Sequence, residues 1–331
     1  MSVTRIVRLS YLLPALALLS GCGGGSSVPP QAAAAGPGIS DAPVLPQANH
    51  YGNDAYIVTA QLYGNDATVY TRSGYTLTYK ETLSQGILAP QGAVTTPNDY
   101  LYVANGGRSN VLVYKVSKKN FPTYPTDTLD DYGQIPDDVS ATANRNLVAV
   151  SNFSTTSGGA GSVSVYVGRE SEPSQVLTYG TDTLQGEGVA IDHQGNCFWS
   201  FNDPNTNSGS VVEFAGCSGN GTAIVSGLSN AQGIVFDQSG DLYYVDQAYG
   251  IYKCVKTSKC ALWAANQTNG FGLPTTLNFD YKEKSLWLAD ASGYMWAISI
   301  KGNCHDKTST CLHKYTSQDG DPFGIAPIRG D

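Results

Sequence analysis

Gln91, Asp137, Glu187, Gln232, Thr275 and Phe323 occupy the same place in six short segments, PQG, PDD, GEG, AQG, PTT and PFG, and are separated by 46, 50, 45, 43 and 48 residues. Asp137 and Glu187 are neighbours in this series, flanked by Gln91 and Gln232. Two carboxylates between two side-chain amides can surround a hard cation with oxygen, and calcium tolerates irregular oxygen geometry. Other chemistries are poorly provided for. His50, His193, His305 and His313 all fall outside the six segments, so no histidine base stands beside the carboxylates. A G-x-S-x-G nucleophile elbow and a phosphate-binding glycine loop opening a helix are both missing.

What must bring these residues together is the repeat they begin. In each unit an alternating, aromatic-rich strand follows, as in LYVANGGRSNVLVYKV, LYYVDQAYGIYKCV and LWLADASGYMWAISI. Periods of this length, with several strands per unit, are those of propeller blades. The last unit stops after one strand, residues 322–329, while residues 55–85 supply three strands that lack an opening one. The expected fold is therefore all-β: a six-bladed β-propeller of four-stranded antiparallel blades, closed by the C-terminal strand pairing with the N-terminal three strands. Such closure removes exposed edges. Seven blades is the competing count. Helix-length amphipathic runs are absent from residue 51 onward.

In a propeller the inner strand of each blade lines a central channel, and the loops entering that strand, with those between second and third strands, build one face. A concave mouth of this kind favours ligands. The candidate binding set at the mouth is Gln91, Asp137, Glu187, Gln232, Asn202 and Asp203, with Asp137 and Glu187 as carboxylates for calcium. No catalytic residue is assigned. Asn105, Asn152, Asn202, Asp246 and Asp290 form a second series, 14 or 15 residues after the first. A polar residue recurring in every blade serves the blade, by capping turns; Asn202, followed by Asp203, is the exception because it shares a blade with Glu187. The glycines of STTSGGAGS, residues 154–162, read as a flexible loop on the mouth face.

Six cysteines fall within the repeat region, and its register makes three local pairs. Cys254 and Cys260 flank a hairpin between third and outer strands, Cys304 and Cys311 flank the equivalent hairpin of the next blade, and Cys197 and Cys217 sit on adjacent second and third strands of blade four. Disulfides suit an oxidising compartment. A zinc site would need C-x-x-C spacing, which is missing.

The beginning of the chain agrees with export. MSVTRIVRLSYLLPALALLSGC has a basic start at Arg5 and Arg8, then an apolar run too short to span a bilayer. Residues 1–21 read as a signal peptide, residues 22–50 as a flexible Gly/Ser/Pro/Ala tether and residues 51–331 as the propeller. Without residues 1–21 the formal charge moves from −8 to −10, since Arg5 and Arg8 leave with them. A chain so acidic should not seek nucleic acid or anionic lipid. Charged residues make up only 14% of the sequence, below the usual quarter, and Gly, Ser, Thr, Asn and 21 Tyr take their place, as suits an exported all-β protein.

Three resemblances add to this reading. Leu19-Ser20-Gly21-Cys22 resembles the bacterial lipoprotein signal motif, which implies acylation of Cys22, anchoring in the membrane by lipid and a place in the cell envelope outside the cytoplasm. Gly23 rather than Asp after that cysteine implies the outer membrane where there are two. The repeats resemble NHL-repeat and related six-bladed propellers. The openers Asp137, Glu187, Gln91 and Gln232 are similar to those of gluconolactonase-like, calcium-dependent propellers, although two are Gln and Asp138 replaces the motif glycine. That resemblance implies a calcium-dependent lactone or ester hydrolase as the alternative function. The leading expectation is a binding or scaffold module, not an enzyme, with an envelope protein or small molecule as partner; a purely structural envelope protein is the third.

Overall fold

The stretch LYVANGGRSNVLVYKV lies in two paired strands, Tyr100–Asn105 and Asn110–Lys115, joined through a short 3-10 turn. Successive strand residues point to opposite faces of a sheet. Leu101, Val103, Leu112 and Tyr114 therefore enter one apolar core with Val58 and Val69, while Tyr102, Ala104, Val111 and Val113 enter another with Val148 and Val150. A sheet covered on both faces needs apolar residues at both alternating positions, and this explains the near-continuous hydrophobic runs.

The computed structural model of the chain describes residues 54–329, apart from 75, 118–120, 281, 283 and 301–311. Cys22, the tether, His50, Cys304, His305 and Cys311 lie outside the described residues. Within them the strands form six four-stranded antiparallel sheets, the blades of a β-propeller. From the channel outward, blade one is Pro322–Arg329, Asp54–Gln61, Asp66–Ser73 and Thr76–Leu83. Blade two is Pro90–Thr95, Tyr100–Asn105, Asn110–Lys115 and Asp127–Asp130, and blade three is Gln134–Ala141, Leu147–Thr155, Ser162–Val167 and Gln175–Leu177. Blade four is Gln185–Ile191, Cys197–Asp203, Ser208–Phe214 and Thr222–Leu228; blade five is Ala231–Phe236, Leu242–Asp246, Gly250–Val255 and Ser258–Ala265. Blade six is Pro274–Phe279, Ser285–Asp290, Tyr294–Ser299 and Leu312–Thr316. Six apolar cores fill the spaces between successive blades, the sixth between blades six and one.

The ring closes as the sequence predicts. Pro322–Arg329 pairs antiparallel with Asp54–Gln61, running from Pro322 opposite Gln61 to Arg329 opposite Asp54. Cys197 is bonded to Cys217 and Cys254 to Cys260. Cys217 differs slightly from expectation: the third strand of its blade ends at Phe214, and the cysteine follows in a 3-10 turn in which Gly216 has φ 59°. No helix among the described residues is long and apolar enough to cross a membrane.

Candidate functional site

The motif glycines bring neighbouring inner strands close together at the mouth. A Cβ at Gly324 would lie 2.2 Å from the Gln91 carbonyl oxygen, and one at Gly188 would lie 2.7 Å from the Gly233 Cα. Gly92 and Gly233 make the same approach to the next blade. Two blades carry a side chain at this position instead, and both side chains bond the next inner strand. Asp138 Oδ2 accepts from the Val189 N–H at 3.2 Å, and the Thr276 hydroxyl donates to the Phe323 carbonyl at 2.7 Å. Asp138, which the sequence marks only as a departure from the motif, is thus a tie between blades three and four.

Asp137 and Glu187 open the inner strands of those two blades. Asp137 is 9% exposed, and no hydrogen-bond donor reaches its carboxylate among the described residues. Glu187 is held at both oxygens: Asn202 Nδ2 donates to Oε1 at 2.9 Å and Gln232 Nε2 to Oε2 at 3.2 Å. The orientation of Asn202 is fixed, because its Oδ1 accepts the Ala231 N–H at 2.8 Å. The same Nδ2 also donates to Asn230 Oδ1 at 2.8 Å. From there Asn230 Nδ2 reaches Gln247 Oε1 at 2.8 Å, and Gln247 Nε2 reaches the Pro274 carbonyl at 3.3 Å. A chain of amides thus runs from Glu187 across blade five to blade six. Asn230 and Gln247 escape the sequence reading, although each adjoins a residue it singles out, Ala231 of the motif and Asp246 of the second series.

Other candidates stand apart. Gln91 turns toward Gly106, where an added Cβ would come within 3.3 Å of its Nε2, and it shares no hydrogen bond with either carboxylate. Asp203 accepts the Asn205 N–H at 2.9 Å within its own turn. In the second series, Asn105 accepts from the Leu88 N–H, Asp246 from Ser229 and Ala248, and Asp290 from Gly272, Leu273 and Ser292. They fasten the loops that enter the inner strands. The loop after Thr155 is also fastened, with Thr155 Oγ1 accepting the Gly159 N–H and the Gly161 N–H donating to Leu184.

Burial pushes the Glu187 carboxyl up to about 8, against the opposing effect of its bonds from Asn202 and Gln232. Burial, then the charges of Glu187 and Asp138, hold Asp137 well above the ordinary carboxylate range. Asp138 is pushed up to about 7 by burial, opposed by the Val139 and Val189 N–H groups. Like charges so close, without a cation, resist ionising together. The donor set does not fit a calcium cage. Calcium takes about six to eight oxygen ligands, whereas Asn202 and Gln232 present N–H groups to Glu187. Among the described residues no group of three or more Asp, Glu, His or Cys side chains is arranged to hold a metal.

No protein-family model and no curated protein sequence matches the chain. One similar solved structure is that of a calcium-binding protein, regucalcin, from Agrobacterium tumefaciens. The two share 10% identity over 72% of this chain and 74% of that one, with a TM-score of 0.46.

Proposed function

We propose that this propeller is a binding module of the cell envelope, held to the membrane through lipid on Cys22, whose channel mouth receives a positively charged or hydrogen-bond-donating group between Asp137 and Glu187. The observation that supports this is Asp137. As a residue it is nine-tenths buried, and its carboxyl accepts no hydrogen bond among the described residues, beside a second carboxyl that the amide chain holds in place. Burial and the neighbouring carboxyls raise its hold on a proton, and an incoming cation or hydrogen-bond donor would relieve that cost. The hydrolase alternative needs a metal ion that this donor set does not fit, and no reaction step is derived through one.

The test is thermal unfolding of the protein with calcium and, separately, with arginine amide. A ligand that binds only the native state stabilises it by RT ln(1 + [L]/Kd), about 2.7 kcal/mol at a hundredfold excess over Kd. Arginine amide should raise the melting temperature of the wild type, and Asp137→Asn with Glu187→Gln should abolish the rise. If neither cation shifts the wild type, the purely structural alternative stands; if calcium alone does so and esters are turned over, the hydrolase alternative replaces ours. The anchor is tested independently: Cys22→Ser should release the protein from the membrane fraction.

A further inference from the structure

The mouth face is far more acidic than the rest of the propeller, and its acids lack counter-ions. Among the described residues, Arg108 is the one Lys or Arg on the loops of this face. Opening onto the same loops, besides Asp137 and Glu187, are Asp66, Asp130, Asp182, Asp203, Asp319 and Asp321, none of them fully buried and none in an ion pair. The other end of the molecule balances its charges. Arg72 pairs with Asp280, Arg145 with Asp127, Lys253 with Asp237 and Asp241, and Arg329 with Asp99. Crowding of like charge is felt at the mouth: burial, then Asp319 and Asp321, pushes Asp66 up to about 6.

Exposed apolar side chains are set among these acids. Tyr63, Tyr132 and Tyr249, each more than half exposed, lie on mouth loops of blades one, three and five, and Leu88 and Leu273 lie on the loops that enter blades two and six. Tyr63 also meets Phe323, the opener of blade one, edge to face. Tyrosine supplies large contact area at low entropic cost and a face that attracts Lys or Arg. Unpaired negative charge steers and selects a positive partner, and disfavours acidic ones by like-charge juxtaposition.

We infer that the mouth face docks a cationic segment of a partner protein, in which Lys or Arg alternates with apolar residues, one basic side chain entering between Asp137 and Glu187 while the others meet the acidic rim and the exposed tyrosines. This rests on the binding-module reading and goes beyond it: the single-group site becomes the centre of a protein interface. The charge complementarity selects the partner. A neutral polysaccharide would leave the rim acids without counter-ions, and nucleic acid would be repelled.

The experiment titrates the full-length protein with a synthetic peptide of alternating Arg and Leu, with the same peptide carrying Glu in place of Arg, with arginine amide and with a neutral oligosaccharide. The Arg-Leu peptide should bind at least about tenfold more tightly than arginine amide, and added salt should weaken it, since exposed charges are screened beyond about 10 Å at 0.1 M. Tyr132→Ser with Tyr249→Ser, and separately Asp182→Asn with Asp321→Asn, should each weaken the peptide by about tenfold while leaving arginine amide unaffected. The tyrosine pair is exposed, so its folding control is an unchanged melting temperature. Equal binding of the Glu peptide, insensitivity to salt, or no effect of the rim variants would each overturn the interface. If arginine amide binds as tightly as the peptide, or the oligosaccharide binds and the peptide does not, the interface is lost but the mouth remains a binding site. Failure of every probe would sink both readings.

Discussion

The two halves of the channel mouth are built from equivalent positions and are put to opposite ends. In blades six and one, Thr275 and Thr276 both donate to the Phe323 carbonyl, Thr275 also bonds the Ala289 carbonyl, and Phe323 packs on Tyr63. The hydrogen bonds of these openers close within the wall. In blades three and four, Asp137 has no donor, and Glu187 is held by amides that extend away from the channel through blade five. The satisfied openers stand at the seam where the C-terminal strand completes blade one. A seam has to be rigid, because it alone joins the ends of the chain. The opener carboxyls lie away from that seam, and the acids near it, Asp66, Asp319 and Asp321, stand off the inner strand.

Breaking the satisfied half should have the largest effect. Gly324→Val would drive a side chain into the Gln91 carbonyl and the Ala93 N–H, 2.2 and 2.8 Å from the position of its Cβ. Both are backbone atoms and cannot swing aside. Loss of about 3 kcal/mol or more, or of cooperative unfolding, is expected in urea denaturation; a wild-type midpoint would show that the seam does not depend on this contact.

Relieving the charged half should be smaller and should depend on pH. Asp137 and Glu187 are raised in the folded state, so the native protein holds protons that the unfolded chain has already released. The stability linked to them is fully present below the ordinary carboxylate value, near 4, and is lost as pH rises through about 8. The wild type should therefore melt lower at pH 8 than at pH 5. Asp137→Asn with Glu187→Gln should flatten most of this slope and stabilise the protein at pH 8 by about 1–2 kcal/mol, while Asp138, raised to about 7, keeps a remnant. A slope unchanged by the double variant would mean that the pair does not carry it.

The smallest effect is expected from Thr276→Ala, which removes one hydroxyl bond to Phe323 and should cost about 1 kcal/mol at every pH. Its lack of pH dependence sharpens the contrast with the carboxylate pair, and melting curves at pH 5 and pH 8 measure both.

Much of this architecture is legible in the chain. The spacing of the six openers gives the blade period, the alternation in LYVANGGRSNVLVYKV gives strands covered on both faces, and the lone strand at residues 322–329 gives the closure, because each is a local pattern with one geometric solution. The site is only half legible. That Asp137 and Glu187 are neighbours follows from blade order. That Asp138 crosses to Val189 depends on how closely the inner strands approach, a distance set by glycines in other blades. The amide of Gln232 reads as an oxygen ligand in the sequence, whereas the structure turns its N–H to Glu187, as it does that of Asn202, whose oxygen the Ala231 N–H has already claimed.

The place of one strand in its blade also sets a direction in space. Asp54–Gln61 is the second strand of blade one, so it runs toward the mouth, and the chain joins the propeller at Asp54, beside Arg329 and at the far end from Pro322. The first described strand thus enters at the charge-balanced end, and the acidic opening is formed by loops at the other end.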